Sequence, residues 1–467
     1  MNKEERGVYM FTSCGYHTFT IAQSLTQEQA DMLLKAFKKY RDDKNEICII
    51  ECPQYSKDPN GRHYEVVYPK QYKGISWRIR FSDIGFLIDG EYRPCSIKAT
   101  INPKVLIGEK SYIQAANAAF MSDIVSHFDY EAEKIAPLIR GFYHYSFNRI
   151  DYCINFDVSE LRFDCPPELR KELPKLIMKL IKHGDIPDGY REEYGVENQF
   201  YLKGEAAVIN IYWKYAQLEQ KFADCRDLGA SYDIIRFEVQ CKYPKVYQMQ
   251  KRIKKEVREQ KAVLEDELRK SGYYDIEFDL GPDYNSDTVC ENKNSYVNKQ
   301  TIVDVDRLSD IRSIAFRLDK IDIMEMIISD KRCDNEIEKY FNRVIKKGDY
   351  YTFAAARNII IKKTTKWEKA ARLINALEQV RSYGGISKVK KMLQEKELEN
   401  FRRSLRELAE LNINPVTIPE EWGIKRIPNL LANYRVLCQE EQVKEMIDEM
   451  SDEVIHVNKK PKKPHGK

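Results

Sequence analysis

The stretch Ala206–Gln220, AAVINIYWKYAQLEQ, alternates along an extended chain, with Ile209, Ile211, Trp213 and Tyr215 on one side and Val208, Asn210, Tyr212 and Lys214 on the other. Two further segments repeat the design. Arg149–Phe156 (RIDYCINF) sets Ile150, Tyr152, Ile154 and Phe156 against Arg149, Asp151, Cys153 and Asn155, and Ile234–Cys241 (IIRFEVQC) sets Ile235, Phe237, Val239 and Cys241 against Ile234, Arg236, Glu238 and Gln240. Strands with one apolar and one polar face belong to an antiparallel sheet backed by helices, which makes the fold class α+β.

If the three strands share a sheet, Asp151, Tyr212, Lys214, Arg236 and Glu238 converge on its open face. A phenol, a lysine and two carboxylates are the parts of a metal-assisted, tyrosine-dependent phosphoryl transfer site. The pattern also suits an ordinary solvated face, because tyrosine is common here (30 residues) and charges line the wet side of many antiparallel sheets.

Composition bounds the other classes. A chain of 467 residues predicts two or three domains, and 43% hydrophobic and 11% aromatic content predicts folded ones. No run of eighteen apolar residues occurs and the opening MNKEERGVYMF lacks an apolar signal core, so neither a membrane span nor secretion is indicated and a cytoplasmic location is expected. The 11 cysteines are scattered without a CxxC or a Cys/His ligand set, which points to reduced, mostly buried thiols. With a net charge of only +4, a polyanionic partner would be met by local basic patches. Seven histidines and no GxSxG give a hydrolase triad little support.

In chain order, short strands are expected at Val8–Phe11 and Thr18–Ile21, then a helix near Thr26–Tyr40 with a Met32, Leu33, Phe37 stripe, then strands at Ile47–Glu51 and Tyr64–Tyr68. Ile75–Phe81 carries Arg78 and Arg80 on its polar side, and Arg93–Leu106 carries Lys98, so this wet face is basic. Helices are expected over Ile113–Phe128, near Leu169–His183 and over Tyr247–Lys270, the last with a seam of Ile253, Val257, Leu264 and Leu268. The expected division is a sheet domain over 1–250, a charged helix and linker over 251–303, a mainly helical C-terminal region over 304–455 and a basic tail from His456. Within the helical region, Gly384-Gly385 precedes two short amphipathic helices resembling a helix-turn-helix pair, with Lys388, Lys390, Lys391, Arg402, Arg403 and Arg406 outward as candidate DNA contacts.

The order FNRIDYCINFDV, NQFYLKGEA, INIYWKYAQLEQ, IIRFEVQ resembles the rolling-circle replication initiators of filamentous phages and small plasmids, with relatives on conjugative elements. The resemblance covers roughly 74–243 and, more loosely, 382–419. It implies an initiator that nicks one strand at a double-stranded origin, stays attached to the new 5′ end through a phosphotyrosine, and leaves a 3′-hydroxyl for polymerase. It maps the nucleophile to Tyr212 with Lys214 two residues on, while Tyr201-Leu202-Lys203 repeats the same spacing one strand earlier. It further implies Mg²⁺ or Mn²⁺ on Asp151 and Glu238, with Glu219 as a third ligand, and contacts to phage or plasmid origin DNA through Arg78, Arg80, Lys98, Arg149 and Arg236. Host helicase and polymerase would be partners, and no membrane. A sequence-specific DNA-binding regulator without nuclease activity needs only the basic patches; a helical interaction protein with an inert sheet needs neither.

Overall fold

A computed structural model describes residues 14–44, 47–52, 61–67, 74–88, 90–108, 113–193, 198–221, 227–270 and 323–435. The chain is α+β: a ten-stranded antiparallel sheet with helices, followed by a mainly helical C-terminal region. The sheet strands are β1 (Gly15–Leu25), β2 (Cys48–Glu51), β3 (Arg62–Val67), β4 (Ile75–Phe81), β7 (Cys95–Ile101), β8 (Ser146–Asp157), β9 (Arg191–Glu193), β10 (Gln199–Lys203), β11 (Ala207–Trp213) and β12 (Ile234–Cys241); β5 (Phe86–Ile88) and β6 (Glu91–Arg93) form a separate hairpin. The order across the sheet is β2-β3-β4-β7-β1-β8-β12-β11-β10-β9.

That order is two copies of one plan. In each half a long strand (β1 or β8) leads to a helix (Gln27–Lys44 or Leu173–Lys182), and four strands then fold back so that the last (β7 or β12) pairs with the first. The two long strands lie antiparallel at the centre, with Phe19 opposite Ile150 and Thr20 opposite Arg149.

Alternation builds the strands as read. In β4 the residues Ile75, Trp77, Ile79 and Phe81 are buried, and in β7 Cys95, Ile97, Ala99 and Ile101. Helix Gln27–Lys44 covers this half, its Phe37 ring 6.0 Å from Trp77, and Phe128 of helix Met121–Glu133 stands 5.6 Å from Trp77. Of the expected Met32, Leu33, Phe37 stripe, Met32 is exposed and the other two are buried. The second half is covered by helix Asp330–Val344, where Phe341 stacks edge-on against Phe156 and tilts against Phe237, each at 5.5 Å. Tyr152 donates to the carbonyl of Ile327 at 2.6 Å, and the shielded pair Lys245–Glu336 (2.9 Å) ties helix Tyr243–Lys270 to the same helix. The sheet and the first C-terminal helices thus share one apolar core.

Two differences from the reading of the sequence bear on the site. The helix expected over Ile113–Phe128 begins only at Met121: Ala116 forms a two-way backbone bridge with Tyr16, and Asn117 accepts from Ala119 N to cap a 3-10 turn over Ala118–Phe120. This close approach requires glycine on the partner strand, since a Cβ at Gly15 would lie 2.2 Å from the Ala116 carbonyl oxygen. Secondly, the strand through Tyr212 ends at Trp213 and becomes helix Lys214–Lys221. Ala216, Gln217, Leu218, Glu219 and Gln220 are good helix formers, and their propensity overrides the alternation that runs on from Trp213 to Tyr215 in the sequence. Val8–Phe11, the linker over 271–303 and the tail from His456 lie outside the described residues.

In the C-terminal region, β13 (Tyr350–Tyr351) pairs with β14 (Arg426–Ile427), and helices Ile386–Met392 and Glu395–Glu410 form the expected pair after Gly384 and Gly385. The backbone N–H of Ile386 donates to the carbonyl of His183 at 3.0 Å, which fastens that pair to the sheet domain.

Candidate active site

Strands β8, β12 and β11 are neighbours, and their registers set Asn155 opposite Arg236 and Arg236 opposite Tyr212, while Glu238 lies between Cys153 and Asn210. Asp151, opposite Gln240, stands diagonally from Glu238 on the same face. The structure gathers Tyr212, Glu238 and Asp151 on one face, but that face is not open as the alternation led one to expect: Asp151, Tyr212, Arg236 and Lys214 are all buried. The Tyr212 hydroxyl donates to Glu238 Oε2 at 3.3 Å.

Burial dominates the electrostatics here. It raises the proton affinity of Glu238, and the charge of Asp151 raises it further. Asp151 is also held above its ordinary value by burial, with the Arg149 guanidinium opposing the shift. The Tyr212 phenol is pushed well up, by burial first and then by Glu238, against the pull of Arg236. Burial likewise pushes the Cys153 thiol up to about 12, which removes it as a competing nucleophile at neutral pH.

Lys214 opens the helix after β11 instead of extending the strand, yet its buried side chain turns back so that Nζ lies 5.8 Å from the Tyr212 ring centroid and donates to Gln217 Oε1 at 2.8 Å. Tyr201 is half-buried on β10, opposite Asn210, on the same face. Glu219 is exposed and accepts from the Tyr215 hydroxyl at 3.0 Å, so it does not join Asp151 and Glu238. Among the described residues no group of three or more His, Cys, Asp or Glu side chains stands at ligand spacing.

The basic residues divide. Arg236 was expected to face DNA; it is fully buried instead, giving Nε to Asn155 Oδ1 at 2.7 Å and a terminal nitrogen to the carbonyl of Ile113, which also accepts from Asn155. It is a cation set into the sheet beneath Tyr212, closed over by the segment that bridges to Tyr16. Arg149 is engaged too, its Nε 2.8 Å from Asp151 Oδ1 and its second nitrogen on Oδ2. The i, i+2 spacing of that pair was readable as a shared strand face; the Ile113 contact, 123 residues from Arg236, was not. Arg78 pairs with Glu65 across β3 and β4, while Arg80 gives a hydrogen bond to Ser82 at 3.1 Å and Lys98 reaches Asn148 at 3.5 Å.

In the helical pair, Lys388, Lys391, Arg402, Arg403 and Arg406 are exposed, with Arg403 bonded to Glu407 at 2.9 Å and Arg402 3.7 Å from Asp188. Lys390 does not point outward: it joins Lys346 on the buried carboxylate of Asp185, a cluster that anchors the pair. A groove of about 650 Å³ runs between the 186–192 turn and these helices, lined in part by Arg191, Lys391 and Arg402.

No helix among the described residues is long and apolar enough to cross a membrane. No protein-family model matches the chain, and no curated protein does. A similar solved structure is a rolling circle replication initiator protein from Geobacillus stearothermophilus, 9% identical, covering 51% of this chain and 77% of that one with a TM-score of 0.23. At that score the likeness carries no argument about chemistry.

Proposed function

We propose that this protein nicks and rejoins one strand of a phage or plasmid replication origin, with Tyr212 as the nucleophile and a hard divalent cation, Mg²⁺ or Mn²⁺, on Asp151 and Glu238. The observation that carries this reading is the Tyr212–Glu238 hydrogen bond on one face of a sheet whose three contributing strands hold the initiator-like motifs in order.

The donor set suits such an ion. Burial makes both carboxylates hold protons more tightly than usual, and the Asp151 charge adds to this at Glu238; a divalent cation would offset both costs. Two carboxylates leave the other coordination positions to water and phosphate oxygens, the arrangement Mg²⁺ favours. When bound, the cation would polarise the scissile phosphate.

The side chains supply the rest. Glu238 Oε2, the hydrogen-bond partner of the Tyr212 hydroxyl, accepts the phenolic proton as Tyr212 Oη bonds to phosphorus. The bond from phosphorus to O3′ breaks, and the 3′ oxygen leaves as a hydroxyl after taking a proton from solvent. The Arg236 charge beside the ring opposes the rise in phenol pKa that burial imposes, and the Lys214 ammonium stands 5.8 Å from the ring centroid. The phosphotyrosine keeps the energy of the broken diester, so rejoining by the 3′-hydroxyl needs no nucleotide cofactor.

The test is nicking of a supercoiled plasmid bearing the cognate origin, in Mn²⁺ and in excess chelator, by the wild type and by Tyr212→Phe. Loss of nicking in both the variant and the chelator supports the reading. Nicking by Tyr212→Phe but not by Tyr201→Phe would move the chemistry to β10, whose tyrosine is the less buried of the two.

A further inference from the structure

The two halves of the sheet can be placed in register through the central pair Phe19–Ile150. Thr20 then corresponds to Asp151, and pairing outward from each makes Lys98 the counterpart of Glu238 and Arg80 the counterpart of Tyr212. One strand further, His63 corresponds to Gln199. Where the second half holds an acid and a phenol, the first holds two cations.

Among the described residues these cations have no acidic partner: Arg80 bonds to the hydroxyl of Ser82 and Lys98 to the amide of Asn148, while the neighbouring acid, Glu65, is taken by Arg78. His63 sits opposite Arg80, is 7% exposed, and among the described residues has no hydrogen-bond partner on either ring nitrogen. A buried imidazole with two unmet polar atoms among uncompensated cations is a site short of an anion.

We propose that His63, Arg80 and Lys98 hold a second phosphodiester of the bound DNA strand, making the first half of the sheet a phosphate-gripping copy of the half that carries Tyr212. The proposal rests on the reading of DNA as the ligand but not on Tyr212 being the nucleophile. β4 and β11 are five strand spacings apart, about 24 Å, so the two phosphates would be some seven stacked nucleotides apart at ~3.4 Å each. Burial and the charges of Arg80, Arg78 and Lys98 hold the His63 ring below its ordinary range, with Glu65 opposing; an anion would reverse that balance. Binding should therefore take up a proton and tighten as pH falls.

Oligothymidylate binding to the full chain, followed by anisotropy against salt concentration, tests this. The variant Arg80→Gln/Lys98→Gln should bind about tenfold more weakly and flatten the slope of log affinity on log salt by about 0.7, the share of one phosphate, with Arg80→Lys close to wild type. In parallel, the His63 ring, assigned by His63→Gln, should titrate at higher pH when inorganic phosphate or oligothymidylate is present. An unchanged slope in a double variant that unfolds at the wild-type temperature would overturn the proposal, as would a His63 titration indifferent to both anions. Wild-type nicking with an unchanged slope would remove only the second phosphate. A changed slope with no nicking would leave the grip and remove Tyr212 chemistry.

Discussion

The Tyr212 hydroxyl and the Glu238 carboxylate share one proton position across the β11–β12 pair, 3.3 Å apart, with the guanidinium of Arg236 fixed beside them. The cost of burying that carboxylate makes stability depend on pH. Because the folded value of Glu238 lies above its unfolded one, its contribution is fully present below about pH 4 and is lost as pH rises through the folded value. Glu238→Gln should flatten this dependence and stabilise the ion-free protein at pH 8, while nicking falls by roughly 10²-fold or more. Paired thermal melts at pH 5 and pH 8 check the stability half, and an unchanged pH dependence would contradict it.

Cation binding should reverse the same cost. Adding Mn²⁺ at ~100 times its dissociation constant would stabilise the folded chain by about 2.7 kcal/mol, with release of protons from the carboxylate pair. Asp151→Asn and Glu238→Gln should each lose the response, whereas Glu219→Gln should keep it. Calorimetry in two buffers of different ionisation enthalpy measures the proton release directly.

Arg236 separates a structural cation from a DNA contact. Arg236→Ala leaves Asn155 and the Ile113 carbonyl without their donor in a closed space and should destabilise the fold by about 3 kcal/mol or more. A surface phosphate contact would cost almost nothing in stability and lower the salt slope of DNA binding. Denaturant midpoints set beside salt titrations distinguish the two.

The helical pair is best tested by substitution in place. Cutting the chain near Asp304 would remove Phe341 and Ile327 from the sheet and uncover Phe156 and Phe237, and loss of a Phe341-sized side chain alone costs about 3–5 kcal/mol. Lys388→Gln/Lys391→Gln/Arg402→Gln/Arg406→Gln should instead keep the fold, weaken duplex binding, and lower the salt slope by nearly one for each phosphate that no longer meets a cation. Cleavage of a single-stranded origin oligonucleotide should survive. Equal duplex affinity at every salt concentration would exclude this surface.

Much of the sheet was legible because strand alternation is a local property: Trp77 against Arg78 and Phe237 against Glu238 follow from period two and burial, whereas at Ile150 and Asp151 both faces are buried and only the alternation of side was readable. The convergence of Tyr212, Glu238 and Asp151 followed once the strands were neighbours. Lys214 misled because an alternating run can continue past the residue at which helix propensity takes over. Arg236, Lys390 and His63 were opaque for a different reason. Whether a cation meets water, an acid or a carbonyl depends on segments far away in sequence, here Ile113 and Asp185, and strand pattern carries no information about them.

Covalent capture tests the Tyr212 chemistry most directly. The full chain is incubated with a single-stranded origin oligonucleotide and Mn²⁺, the adduct is digested, and the modified peptide is sequenced by mass spectrometry. A 5′-phosphoryl nucleotide on Tyr212, absent in Tyr212→Phe, is the predicted result; an adduct on Tyr201, or nicking with no protein-bound DNA, would contradict it.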